Sequence, residues 1–520
     1  MSFPAPGEAS GPRTAMLYAL LLLLALATRF PFVFHDEINW DESTFILIGQ
    51  SILDGHLPYV TLFDVKPPLL FWFFAAVIWI GGKSIVAIRV AGMICVWVVA
   101  CFTCDIARRL SSVRAGAVAG CLYVFASAVI AHTSGQATMS ETVALVPLVG
   151  SLLLLMRRPN SAWTLFLAGS LIAAAALVRS NLVFVAFAVG IWIVLSRRPL
   201  SALEMVRHVT IYCIGGVLPI LLIYVPYALS HQGRLFWNAV FLGPIIYSSN
   251  QLGPLAVAVR QVKNALGVFP GRWFPNSENM VGLGIWLPAT MAMLLAFNRR
   301  RRHFSTIGYE QRLGGTYTLG VALSIVFGGA PYAHYLIQLL PFACIYAASF
   351  YLRLADYPVR HRFSVPLAAM LLLLAMLPVA RQYSIILSRM RSGAPLAYGT
   401  SYDIARIVRP ECVNGCSVYM LTDQLTYWWL NVTPPSRLAV HPANVVMNYA
   451  VKAAEGPTAT PESEMRRILN TAPDYIVKPD VIWYLDDSPA LEALDSTVST
   501  DYRQLATADT QHLPAKGLQS

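Results

Sequence analysis

The chain has 520 residues, 56% of them hydrophobic and 12% charged, with a mean hydropathy of +0.57 and a formal charge of +11. A charged share about half that of soluble domains excludes a soluble enzyme, and the aromatic content excludes a disordered or collagen-like chain. The arginines form short clusters between apolar runs rather than one basic face, which argues for oriented membrane helices and against a nucleic-acid partner.

In chain order, apolar runs long enough or nearly long enough to span a bilayer lie at about 15–34, 85–107, 114–131, 141–156, 161–178, 181–195, 209–229, 282–297, 314–330, 334–354 and 364–381. Ala25-Leu-Ala27 has the form of a signal-peptidase site, but apolar residues continue to Phe34 and predict an uncleaved first helix. The run Pro67 to Gly82 is a twelfth candidate, yet at 1.5 Å per residue it reaches about 24 Å against a core of about 30 Å. If it does not cross and the N-terminus is cytoplasmic, Arg108-Arg109, Arg157-Arg158, Arg197-Arg198, Arg299 to Arg302, and Arg360 with Arg362 all fall inside. If it crosses, the later clusters move outside. The expectation is therefore an α-helical polytopic membrane protein of about 11–13 transmembrane helices over residues 1–381, with Pro67 to Gly82 juxtamembrane or re-entrant.

Three regions then face outward: 35–67, 230–281 and a C-terminal domain at 382–520, large enough to bury its own core. In that domain Ser417 to Leu421 and Asp474 to Lys478 read as strands and Pro461 to Asn470 as a helix, giving a small α/β domain. Cys412 and Cys416 flank an Asn-Gly turn, where an oxidising compartment favours a structural disulfide, while the other six cysteines lie in apolar runs. Asn431-Val-Thr433 has the form of a glycosylation sequon, a triplet that also arises by chance. The aromatic stretch Phe236 to Tyr247 reads as a lid, a lipid groove or interface packing.

The first outer loop carries the chemistry. His35-Asp-Glu-Ile-Asn-Trp-Asp-Glu-Ser-Thr44 places four carboxylates beside the first membrane helix, where either catalysis or helix capping by Asn39 or Asp41 is open. Asp64-Val-Lys-Pro-Pro68 closes the loop with a lysine fixed by two prolines, suited to a lipid phosphate, with snorkelling as the alternative. Acids and cation together fit proton removal by one group and stabilisation of a leaving phosphate by another.

Trp40-Asp-Glu42, Gly55-His-Leu-Pro-Tyr59, Asp64-Val-Lys-Pro-Pro68 and His334-Tyr-Leu-Ile-Gln-Leu-Leu-Pro341 together resemble bacterial relatives of the dolichyl-phosphate-mannose protein mannosyltransferases and the lipid A aminoarabinose transferases. These are C-type (GT-C) integral-membrane glycosyltransferases. The resemblance implies a polyprenyl-phosphate sugar donor, a glycan, lipid or protein acceptor entering from outside, inversion at the sugar carbon, and a metal-independent reaction without cofactor. It implies Asp41 as general base with Glu42 beside it, and Glu141 as the acid of the next outer loop, with capping of the helix that begins there as the alternative for Glu141. It assigns the donor phosphate to Lys66, with His334, Tyr335 and Arg272 as further candidates; Arg89, Arg179 and Lys263 are outward or interfacial cations that also suit snorkelling. Phe45 stands where relatives commonly carry Tyr, and Asp36-Glu37 offers a shifted assignment of the acids.

Membrane lipids are the surroundings this reading requires, and a bacterial inner membrane the location. The alternative is a polyprenyl-lipid flippase or transporter, but the acids cluster outside the membrane and no internal repeat is evident. A ligase or polymerase moving a preassembled glycan on a diphosphate lipid differs only in its donor. No Gly-rich nucleotide loop and no His-Glu-x-x-His helix occurs, so nucleotide-sugar donors and zinc hydrolysis lack support.

Overall fold

The computed structural model describes residues 12–507 apart from 132–133, 159–160, 197–200, 250–251, 268–276, 303–307, 356–365, 367–368, 371, 413–414, 481 and 483–487. Arg197, Arg198, Arg272, Arg360 and Arg362 lie outside the described residues. The chain forms two compact units, one of Met1–Phe32, Arg89–Leu222 and Gln251–Ile385, the other of Val33–Ile88, Ile223–Asn250 and Ile386–Ser520.

The first unit is a helix bundle. Along the chain, Pro12–Phe32, Ile85–Leu110, Ser140–Arg157, Ala202–Leu229 and Ala333–Ala355 are long and apolar enough to span a membrane, the first four residues of Ile85–Leu110 and the last seven of Ala202–Leu229 belonging to the second unit, and Val113–Val129, Ala162–Val178, Ser180–Leu195 and Asn279–Leu295 are shorter apolar helices. They follow the apolar runs of the sequence because, without water, each backbone polar group must bond within its own helix. The first helix runs through Ala25, which is fully buried, to Arg29, whose guanidinium donates to the Ser127 carbonyl at 3.0 Å. Small residues let helices close up: a Cβ on Gly169 would come within 2.2 Å of the Tyr212 carbonyl oxygen, and one on Gly215 within 2.1 Å of that of Phe166.

One end of this bundle collects the basic helix termini. Asp105 accepts from the Tyr18 hydroxyl at 2.8 Å and pairs with Arg157 at 2.5 Å, Arg108 reaches Thr14, and Arg109 pairs with Glu310 at 3.0 Å. Arg108, Arg109 and Arg157, spaced apart in sequence, therefore share one end of the bundle. At the opposite ends of the same helices sit Arg29 and Glu141.

In the second unit, the helix Trp40–Leu53 packs on Pro68–Gly81 through Phe45, Phe71 and Phe74, all fully buried. Full burial of such rings contributes about 2–3 kcal/mol each. The Pro68–Gly81 helix has 14 residues, about 21 Å of rise, and leaves Trp79 and Ile80 exposed at its end. The aromatic stretch forms the helix Gly233–Trp237, a π-turn at Asn238–Leu242 and the helix Gly243–Ser249. Phe236 packs against Tyr227 with the rings tilted at 51° and their centres 5.1 Å apart, while Trp237, Phe241 and Ile245 remain exposed.

The C-terminal part pairs two short parallel strands, Val418–Met420 and Tyr475–Val477, within a helical surround. The helix Pro461–Leu469 starts with a Thr460–Ser463 capping box and Pro at its first position. Cys412 and Cys416 are disulfide-bonded. Asn431, of the sequon, adopts a left-handed conformation that ends a helix and accepts from Lys83 at 3.1 Å.

Candidate active site

Asn39, not Asp41, caps the helix Trp40–Leu53: its side chain accepts the Asp41 N–H at 2.9 Å. Asp41 is thereby released from capping and sits in the first turn, where the helix dipole favours a carboxylate. Its Oδ1 stands 3.4 Å from Lys66 Nζ and 3.3 Å from His441 Nε2, and the three side chains are 16–18% exposed. Glu42, next in sequence, is buried at 1% exposure.

Lys66 is placed by its neighbours. The Tyr59 hydroxyl donates to the Lys66 carbonyl at 2.7 Å, and burial pushes the Tyr59 phenol well above its ordinary range, keeping it a donor. Lys66 Nζ also lies 4.0 Å from Asp64 and 5.5 Å above the Phe45 ring. Tyr59 thus holds the backbone at Lys66, while Asp64 and Phe45 flank its ammonium group.

Three of the four acids divide by use. Asp36 accepts the Tyr402 N–H at 2.6 Å, and Gly399, at φ 142°, leaves the room: a Cβ there would lie 1.6 Å from Asp36 Oδ1. Glu37 accepts from Ser401 Oγ at 2.7 Å and from the Leu425 N–H at 3.1 Å. Asp36 and Glu37 therefore fasten the loop to residues 399–425, and Asp41 is the acid that meets the lysine.

Glu141 lies in the first unit. Met139, which offers no side-chain cap, precedes its helix, and Glu141 is fully buried with Arg179 Nη1 at 2.8 Å and His334 Nε2 at 3.7 Å. Arg179 donates to Ser140 Oγ at 3.0 Å and lies 4.1 Å from the centre of the Tyr335 ring; His334 stacks on Tyr332. Glu141, His334 and Tyr335 are thus brought together, and Arg179 joins them. Arg89 is buried, whereas Lys263 is exposed and, with Arg260, borders an open cleft of about 660 Å³ walled by Leu255, Ala256 and Val259. Arg272 lies outside the described residues.

Residues 65–227 match the family described as dolichyl-phosphate-mannose-protein mannosyltransferase. Two structures of ArnT from Cupriavidus metallidurans share the architecture. The one bound to undecaprenyl phosphate has a TM-score of 0.56 at 14% identity, covering 82% of this chain and 86% of ArnT. The apo form has a TM-score of 0.55 at 13% identity, covering 81% and 85%. The chain has a C-type glycosyltransferase fold. No curated protein sequence matches it.

In this glycosyltransferase fold the sequence alone misses His441. Its signal is local and weak: a histidine before Pro442 at a helix start, its Nδ1 accepting the Ala443 N–H at 3.1 Å. Nothing in the spacing ties it to Asp41. Arg179 is legible only as one of several interfacial cations; the burial of Glu141 singles it out.

Proposed function

We propose that the chain is an inverting glycosyltransferase that moves a sugar from a polyprenyl-phosphate donor to an acceptor hydroxyl of a lipid, polysaccharide or protein. The reaction takes place at the outer face of a bacterial cytoplasmic membrane, with the N-terminus inside. The observation that carries this reading is the Asp41–Lys66 pair, 3.4 Å apart, on a capped helix start beside the membrane bundle's first helix in sequence. The family match over 65–227 and the undecaprenyl phosphate bound to ArnT support the donor class. The Cys412–Cys416 disulfide supports an oxidising outer compartment.

The chemistry follows from the two charges. The acceptor oxygen attacks the sugar's anomeric carbon while Asp41 takes the hydroxyl proton. The new C–O bond forms as the bond to the phosphate oxygen breaks, and the electron pair leaves with the phosphate, whose charge Lys66 meets. In-line displacement inverts the carbon. Glu141 acts as counter-ion to Arg179 and lies beside His334, which the resemblance assigns to phosphate. The open cleft lined from Leu252 to Lys263, apolar with Arg260 and Lys263 at its border, suits a polyprenyl chain and its phosphate.

Purified protein in nanodiscs, given radiolabelled polyprenyl-monophosphate sugars one at a time, is expected to turn over one of them. Asp41→Asn should lower kcat by about 100-fold or more, and Lys66→Ala should eliminate turnover as well. A fully active Asp41→Asn variant sinks the assignment. Tight donor binding without turnover, unchanged at Asp41, points instead to a lipid carrier or flippase.

A further inference from the structure

We infer that His441 is a positioning residue for the general base, holding the Asp41 carboxylate through its Nε2 proton. The inference rests on the proposed role of Asp41 and adds to it a residue from the C-terminal part of the chain.

Both ring nitrogens of His441 are accounted for. Nδ1 accepts the Ala443 N–H at 3.1 Å, so the proton of the neutral ring is on Nε2, and Nε2 is the atom 3.3 Å from Asp41 Oδ1. The Trp40 ring meets the imidazole edge to face at 6.3 Å, limiting its rotation. Local hydrogen bonds also fix the segment to both halves of the charge pair. Thr44, one turn after Asp41, donates to the Val440 carbonyl at 2.8 Å. The Phe63 N–H donates to the Arg437 carbonyl at 2.7 Å, and Asn444 Nδ2 donates to the Phe63 carbonyl at 3.1 Å, just before Lys66. Residues 437–444 are thus fastened to the helix of Asp41 and to the strand of chain that carries Lys66. The site consequence is an oriented carboxylate: Lys66 and His441 address the same oxygen. When a donor phosphate draws Lys66 away, the imidazole still holds Asp41 in place.

Two substitutions separate this role from helix capping. Asn at 441 retains a side-chain acceptor for the Ala443 N–H but is too short to reach Asp41; Gln retains an N–H donor at the Nε2 position but caps poorly. With the polyprenyl-monophosphate sugar that wild type turns over, His441→Asn is expected to lower kcat about 10- to 100-fold with donor KM within about twofold. His441→Gln should keep at least five times the kcat of His441→Asn. Asn equal to or better than Gln overturns the inference, because the cap alone would then explain the residue. An inactive Asp41→Asn beside a fully active His441→Asn rejects this inference and leaves the glycosyltransferase reading standing; an active Asp41→Asn rejects that reading first. A substrate-free check uses ¹⁵N-histidine spectra in nanodiscs: the His441 Nε2 resonance, identified by its loss in His441→Asn, should shift in Asp41→Ala. An unmoved resonance overturns the contact whether or not any donor turns over.

Discussion

Glu141 and Asp41 illustrate how burial decides what a carboxylate does. Asp41 remains partly exposed between a lysine and a histidine, where a hydroxyl from solvent can reach it. Glu141 is fully buried, and its charge is tolerable because Arg179, itself 5% exposed, lies 2.8 Å away with Ser140 bridging the two. Removing one partner leaves the other charge buried and unbalanced, a cost of about 3–5 kcal/mol. Glu141→Gln is therefore expected to lower the Tm in detergent by several degrees, whereas a Tm unchanged within a degree would mean that water already solvates the pair.

At the scale of elements, caps and short-range ion pairs determine how the loops are held. Asn39 takes the capping duty that would otherwise occupy Asp41, and Gly399 lets Asp36 lie over the start of the helix Thr400–Val408. The helices of the C-terminal part are joined by charge as well as by packing. Burial pulls the Glu455 pKa up, but Arg437 at 2.7 Å and Arg467 at 3.1 Å outweigh it and hold the carboxyl below its usual value. A carboxylate depressed in the folded state contributes stability above its unfolded pKa of about 4.3 and loses it as pH falls through the folded value. Thermal unfolding followed between about pH 6 and pH 3 should show a fall in Tm that is shallower in Glu455→Gln; parallel curves for the two proteins would refute the linkage.

For the whole molecule, the gathering of Arg108, Arg109 and Arg157 with Asp105 and Glu310 at one end of the bundle agrees with the placement of those basic clusters on one, proposed inner, side. The orientation has a direct readout. In a background with accessible thiols removed, cysteine at the exposed position Lys452 should react with a membrane-impermeant maleimide on intact cells, and cysteine at the exposed position Arg312 only after lysis. The reverse pattern would invert the proposed topology and put Asp41 on the wrong side for an outer acceptor.

The sequence by itself determined the helical membrane class, the positions of most helices, the two short strands and the Asp41–Lys66 pairing of types. Each of these is written in local pattern: apolar runs set spans because lipid cannot satisfy a backbone, and Lys-Pro-Pro after an acidic segment fixes a cation near acids. Only the resemblance sets Asp41 apart there: Asp36, Glu37 and Asp41 look alike along the chain and differ in what folds against them. Tyr402, Ser401 and Leu425 claim the first two; Lys66 and His441 meet the third. Nor did the sequence find His441 or assign Arg179 to Glu141, because such pairings join residues distant in sequence through packing that leaves no periodic trace. Tertiary structure decided which charges meet, and the energies of buried charge and hydrogen bonding then decided which carboxylate is a fastener, which a counter-ion and which a candidate base.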